Sequence, residues 1–386
     1  MKSEILRLCL RMALLIPLLF SSCSKNFQKS DLPPDFDGLS FEGEFPLEYA
    51  SAVKVWEYGL LRGDRVYLLT VLNSDKYLLA DKDLELPKNL PPEIEVIRTP
   101  VKKVYLAATS AMSLFNAIGS LDSVRFSSLQ KNAWFIDEAK NAMDEGKILY
   151  AGKYNAPDFE LLLKENCSLA LESTMIYHSP QIKEKLEDLG IPVFVDKSSY
   201  EENPLGRLEW VKIYGLMCGG ASRAEEFFDG QISSLISSVR AAERSRESYP
   251  SVAFFYINPS GMVIVRGGED YVSKMIEMAG GKYAFSFDKN NSSPSVAVSM
   301  ENFYARCADC ELLIYNSSID NTLSSKAELL EKSVLFKDFK AFKSDNIYVT
   351  GKNLYQATDK IGEMSLDLRA AIYGEEREMK FLEKIE

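Results

Sequence analysis

The sequence predicts an α/β protein of two lobes, each with a mostly parallel sheet flanked by helices, joined by one long interlobe helix and preceded by a β-rich N-terminal extension. Three observations carry this expectation. Strand, loop and helix signals alternate from Val101 to Asp196, the same alternation restarts after Pro250, and between them Ala221 to about Arg246 reads as one unbroken helix. At 46% hydrophobic and 26% charged, a chain of 386 residues can bury two substantial cores.

The first 23 residues read as a lipoprotein signal. Lys2, Arg7 and Arg11 form a basic start, and Met12 to Phe20 an apolar run shorter than the roughly 20 residues a bilayer span needs. Leu19-Phe20-Ser21-Ser22-Cys23 then resembles a lipobox, with Cys23 as the lipid anchor and Phe20 where leucine is usual. Cleavage before Cys23 removes three basic residues and one acidic one, so the mature chain is more acidic than the −11 of the whole. Such a balance disfavours nucleic acid, which needs a basic footprint. A soluble, acyl-tethered body on the extracytoplasmic side, in the periplasm or at the cell surface, is the expected state.

The expected organisation is a signal over 1–22, a polar, proline-broken tether over 23–40, and a β-rich extension over 41–100. An N-terminal lobe over 101–218, a connecting helix over 219–247 and a C-terminal lobe over 248–386 complete it. In the extension, Lys54–Tyr58, Arg65–Val71 and Lys76–Ala80 read as antiparallel strands between turn residues. In the first lobe, strand Val101–Ala108 leads through Thr109-Ser110 into a helix from Ala111 to Ile118 stopped by Gly119. Strand Ser168–Leu171, loop Glu172–Ser179, helix Pro180–Leu189 and strand Ile191–Asp196 repeat the plan, and Leu205–Cys218 is helical. The second lobe has strand Ser251–Ile257, loop Asn258–Gly261 and a helix near Tyr271–Met278.

Both lobes carry a helix with apolar residues at i, i+3 and i+4: Phe159, Leu162 and Leu163 in one, Met300, Phe303 and Tyr304 in the other. A glutamate, Glu160 or Glu301, follows the first apolar position and so faces solvent near the helix start, with Asp158 and Ser299 as caps. Glu160 could equally pair with Lys164 at i+4.

The ordered set made by Val104–Gly119, Asp158–Lys164, Leu189–Val193, the helix after Gly220, Met278–Gly281 and Val298–Glu301 resembles the class III substrate-binding proteins of ABC importers, over roughly Pro100 to Tyr373. That family captures vitamin B12, ferric siderophores or haem. The resemblance implies that Glu160 and Glu301 dock on arginines of a permease served by an ATPase. It also implies a binding rather than an enzymatic role. The chain departs from the family where Lys164-Glu165-Asn166-Cys167-Ser168-Leu169 replaces the usual Lys-Pro-Asp-Leu-Val, and in the added residues 41–97. An exported enzyme using the interlobe cleft, chelatase-like, and a ligand-storage lipoprotein without a transporter are the alternatives.

Ligand crevices of open parallel sheets lie beyond the carboxyl ends of the strands. This places Thr109, Ser110, Met112, Arg125, Phe126, Tyr177, His178, Tyr256, Asn258, Met262, Arg266, Asn316 and Tyr355 around the expected site. Aromatic and amide groups there suit a large, flat, polar-edged ligand such as a corrinoid, a porphyrin or a chelated ferric ion, and Arg125 and Arg266 could meet an anionic chelate. No cofactor of the protein's own and a monomeric state are expected. With His178 the only histidine, neither a multi-histidine zinc site nor a His-based triad can be built. His178 is a surface residue or an axial ligand to haem iron. Cys307-Ala308-Asp309-Cys310 is compatible with a disulfide or a thioredoxin-type redox pair, and Cys167 and Cys218 read as buried small hydrophobes.

Overall fold

The computed structural model describes residues 34–60, 64–244, 249–285, 295–320 and 323–386. Cys23 and most of the expected tether lie outside them. The chain divides into Met1–Phe36, of which 34–36 are described as irregular, and a unit from Asp37 to Glu386 that contains every described strand.

Residues 40–99 form a five-stranded sheet in sequence order: β1 (Ser40–Glu44), β2 (Val53–Gly59), β3 (Arg65–Val71), β4 (Asp75–Asp81) and β5 (Ile94–Thr99). Strands β2, β3 and β4 pair antiparallel, as their alternation implies, while β5 runs parallel to β4. The two strands that pattern alone did not reveal have local reasons. β1 is an exposed edge of sequence Ser-Phe-Glu-Gly-Glu, and β5 hides behind a proline cluster.

The N-terminal lobe is an all-parallel sheet of order β12-β11-β6-β7-β8, from β6 (Val104–Leu106), β7 (Val124–Ser127), β8 (Leu149–Tyr150), β11 (Leu169–Ser173) and β12 (Val193–Asp196). A small hairpin of β9 (Gly152–Lys153) and β10 (Ala156–Pro157) intervenes. The C-terminal lobe has a parallel centre of β13 (Ser251–Ile257), β15 (Lys282–Tyr283), β17 (Leu312–Tyr315) and β18 (Ile347–Thr350). Antiparallel β14 (Val263–Arg266), β16 (Ser295–Val298) and β19 (Leu382–Lys384) extend its flanks. The expected loop after β13 is therefore a hairpin: Asn258 Oδ1 accepts from the N–H groups of Ser260 and Met262, and the chain turns back as β14.

The Pro204–Cys218 helix is the hub, with all 15 residues buried. Its Gly215 lies against the Ala221–Arg244 helix so closely that an added Cβ would meet Ala224 Cβ at 2.6 Å. Gly219, at φ +71°, makes the left-handed C-cap between the two. The longer helix also packs on Ile361–Tyr373 of the C-terminal lobe, which makes it the bridge between lobes.

Two buried carboxylates bind the extension to this hub. Glu209 accepts from the backbone N–H groups of Glu48, Tyr49 and Ala50 at 2.7–2.9 Å and pairs with Lys212 at 2.7 Å. Glu201 accepts from the N–H groups of Ser51 and Ala52 and from Trp210 Nε1. Each charge thus has several donors, the condition under which a buried carboxylate is tolerated.

Candidate functional site

The carboxyl ends of the two parallel sheets meet through two loops. The loop after β18 carries Tyr355 and Gln356, and the loop after β7 carries Trp134 and Phe135. Gln356 donates from Nε2 to the Ala133 carbonyl at 2.8 Å and accepts from the Phe135 N–H at 2.9 Å. Nearby, the N–H of Asp359 donates to Ser113 Oγ on the helix after β6, at 3.4 Å. Trp134 is buried and donates from Nε1 to Ser127 Oγ at 2.9 Å, while Phe135 beside it stays 42% exposed. A cavity of about 330 Å³ lies here, lined from both lobes by Ser113, Asn116, Phe135, Gln356, Asp359 and Lys360 among others.

Within the C-terminal lobe, three expected ligand residues come together. The Tyr355 hydroxyl accepts from the Arg266 guanidinium and from Asn316 Nδ2, the latter at 2.9 Å. Asn316 Oδ1 accepts from Thr350 Oγ1 at 3.4 Å, which ties the ends of β17 and β18 together. Arg266 also faces Asp270 at 3.7 Å. That contact is too long for a hydrogen bond, so burial outweighs the attraction and holds the Asp270 carboxyl above its ordinary pKa. Arg266 is thus a largely buried cation that pairs with Asp270 at ion-pair distance but not by a hydrogen bond. Since Tyr355 accepts both contacts, its own O–H remains a donor.

The other expected residues divide. Thr109 and Ser110 are half-buried in the loop after β6, Tyr256 is half-buried on β13, and Asn258 and Met262 form the hairpin tip. His178 is exposed on a short 3₁₀ turn, Thr174–His178. Tyr177 is drawn to the extension: its hydroxyl donates to Asp75 Oδ2 at 3.1 Å, and Lys197 pairs with the same carboxylate at 2.8 Å. Three expectations need correction. Met112 and Phe126 are wholly buried in the lobe's cores, because their positions on helix and strand face inward. Arg125 lies toward the opposite end of the sheet, donating to the carbonyls of Gly146 and Lys147 and pairing with Glu165 at 3.2 Å.

Sequence reasoning missed Gln356, whose side chain contacts main chain, and Phe135, which meets it through its own backbone N–H, and it missed Glu172. This residue is the fourth of β11 rather than the start of a loop, and its side chain is fully buried with neither carboxyl oxygen hydrogen-bonded. Burial pushes its pKa up to about 8, so it carries a proton at neutral pH.

Glu160 and Glu301 occupy matching places. Asp158 accepts from the N–H of Leu161 and Ser299 from that of Asn302, capping the Phe159–Lys164 and Met300–Cys307 helices, and both glutamates are exposed. Its own backbone N–H and the Ser299 hydroxyl hold Glu301 below its ordinary pKa. The shared register differs at one position: Leu162 and Phe303 are buried, but Leu163 is exposed while Tyr304 is half-buried.

Solved structures with this arrangement are periplasmic binding proteins. A haem-binding protein of Pseudomonas aeruginosa superposes with a TM-score of 0.60 at 17% identity, covering 74% of this chain and 98% of its own. A haem-binding protein of Vibrio cholerae gives 0.57 at 15% identity, covering 71% and 100%. The vitamin B12-binding protein of Vibrio cholerae gives 0.50 at 14% identity, covering 72% and 99%. The chain shares the fold of these periplasmic binding proteins. About a quarter of it has no counterpart in these neighbours. In sequence, it is similar to two uncharacterized lipoproteins of Methanocaldococcus jannaschii, 22% identical over 78% of this chain and 73% of the relative, and 24% over 81% and 80%. No family model matches.

Proposed function

We propose that the protein is a lipid-anchored substrate-binding protein of an ABC importer, which captures a ferric siderophore, a corrinoid or haem between its lobes and delivers it to the permease. The observation that carries this reading is the near-complete coverage of haem- and B12-binding neighbours by about three quarters of this chain. The lipoprotein names of the sequence relatives support an anchor at Cys23 and an extracytoplasmic location. Arg266, with Tyr355 and Asn316, supplies donors for an anionic ligand edge, and Phe135 an exposed aromatic face, to which Thr109, Ser110, Tyr256 and His178 add polar contacts. Among the described residues no group of three or more histidine, cysteine or carboxylate side chains is placed to hold a metal ion, so the iron or cobalt arrives already chelated.

Titration of the purified protein with haem, cobalamin and a panel of ferric siderophores, read by the fluorescence of Trp56, Trp134 and Trp210, tests the ligand class. Stoichiometric binding of one of these supports it. Tight binding of a peptide or sugar instead overturns it, and turnover of a porphyrin with a free metal ion favours the chelatase-like alternative. For the anchor, Cys23→Ala should move the protein from the membrane to the soluble fraction.

A further inference from the structure

The Met300–Cys307 helix carries Glu301 in its first turn and Cys307 as its last residue, and a turn through Ala308 and Asp309 leads by Cys310 into β17. Both cysteines are buried, at 0% and 3% exposure, and both thiols are free in this structure. The N–H of Cys310 donates to the Cys307 carbonyl at 3.0 Å. A turn closed in this way holds its first and last Cα atoms within about 7 Å, close to the separations of about 4.4–6.8 Å at which disulfides form without moving the backbone. The two thiols lie close enough to influence each other: the neighbouring Cys310 and burial raise the Cys307 thiol, while Cys307 holds the Cys310 thiol below its ordinary pKa.

We propose that Cys307 and Cys310 are built to close as a structural disulfide, which pins the end of the Glu301-bearing helix to β17. The chemistry is thiol–disulfide exchange with the disulfide of an envelope thiol oxidase. The Cys310 thiolate attacks that disulfide to give a mixed disulfide, and Cys307, after losing its proton, displaces the oxidase sulfur. Two protons and two electrons leave the pair, and the oxidase is left as a dithiol. Because both sulfurs are buried in the folded lobe, the exchange precedes closure of its core.

The position on the helix separates this role from that of a catalytic redox pair. Thioredoxin-type motifs place the reactive cysteine at a helix N-terminus, where the dipole stabilises a thiolate. Cys307 stands at a helix C-terminus, the negative end, where the thiolate is disfavoured and rapid exchange with it.

The proposal rests on the extracytoplasmic reading only for the oxidant, and the test separates the two. In one arm, full-length protein is unfolded and refolded in a glutathione buffer of oxidising poise, then denatured and alkylated. In the other, cells are lysed directly into denaturant with alkylating agent. The expected product in both arms is a Cys307–Cys310 peptide lighter than the dithiol by two hydrogens and unreactive until reduced, with Cys167 and Cys218 alkylated. Reduction should lower the thermal midpoint of the refolded wild type and leave that of C307A/C310A unchanged. Alkylated Cys307 and Cys310 in the refolding arm, or a midpoint unmoved by reduction, overturn the proposal. Oxidation in the refolding arm beside free thiols in the cell arm supports the built pair and counts against the extracytoplasmic location.

Discussion

Gln356 and Phe135 stand 221 residues apart and share a 2.9 Å hydrogen bond between lobes, while the same carboxamide holds the Ala133 carbonyl. Amide to main chain, this contact copies one rung of a β-ladder across the cleft. It fixes Tyr355, the next residue back, relative to the exposed ring of Phe135.

Gln356→Ala removes both bonds. At about 0.5–1.5 kcal/mol each, the loss should be about 1–3 kcal/mol of stability. The more telling readout is aperture. Small-angle scattering should show a larger radius of gyration for the variant, and amide exchange should speed up at Phe135. An unchanged exchange rate there would mean the lobes are held by other contacts.

The extension depends on Glu209, whose carboxylate serves three consecutive N–H groups and Lys212. Glu209→Ala strands those donors and leaves Lys212 buried without its partner, an effect of at least about 3 kcal/mol. Limited proteolysis should then cut near 45–52 in the variant well before wild type. Equal protection would show that the strand pairing and the bond from the Val195 N–H to the Tyr77 hydroxyl, at 3.2 Å, suffice.

Glu172 gives the stability a pH dependence. Its native pKa is raised to about 8 from an ordinary 4.5, so the native carboxyl keeps a proton that the unfolded chain gives up. Below pH 4.5 both states are protonated and nothing is lost. Between 4.5 and 8 stability falls as pH rises, by about 1.4 kcal/mol per unit and on the order of 3 kcal/mol by pH 7, and it levels off above 8. Glu172→Gln has no such titration, so denaturant unfolding at pH 5, 6, 7 and 8 should show the variant gaining on wild type at each step. Parallel curves would mean that Glu172 finds a partner in solution.

Much of the fold was legible because its punctuation is local. Ser251–Ile257 lies between Pro250 and Asn258-Pro259, and Tyr271–Met278 runs from the capping Asp270 to Gly280, so both were bounded to the residue. Strands β14 and β16 escaped because each is four residues long and flanked by sequence that reads as loop. For the site, Asn316 and Tyr355 follow the ends of β17 and β18, where topology points. Met112 and Phe126 failed because a strand or helix position one residue away faces the other side. Gln356 contacts backbone, which carries no residue signature. Glu201 and Glu209 had a signal, acidic residues on or beside a mostly apolar helix, whose meaning needs the extension's N–H groups to be seen.

Glu160 and Glu301 sit in the first turns of two short capped helices, one per lobe, and both project into solvent. Exposed glutamates at helix starts add little to folding, so replacing them should leave the thermal midpoint unchanged. Two negative points held apart by a stiff bridging helix suit two positive sockets on a permease, where charge pairs set orientation and association rate. Glu160→Ala with Glu301→Ala should therefore leave ligand affinity at the wild-type value and abolish uptake in cells, with each single variant intermediate. Because exposed charges are screened beyond about 8 Å at physiological salt, association of wild type with permease vesicles should weaken as salt rises, and that of the double variant should not. Uptake at the wild-type rate by the double variant would remove these glutamates from the docking surface.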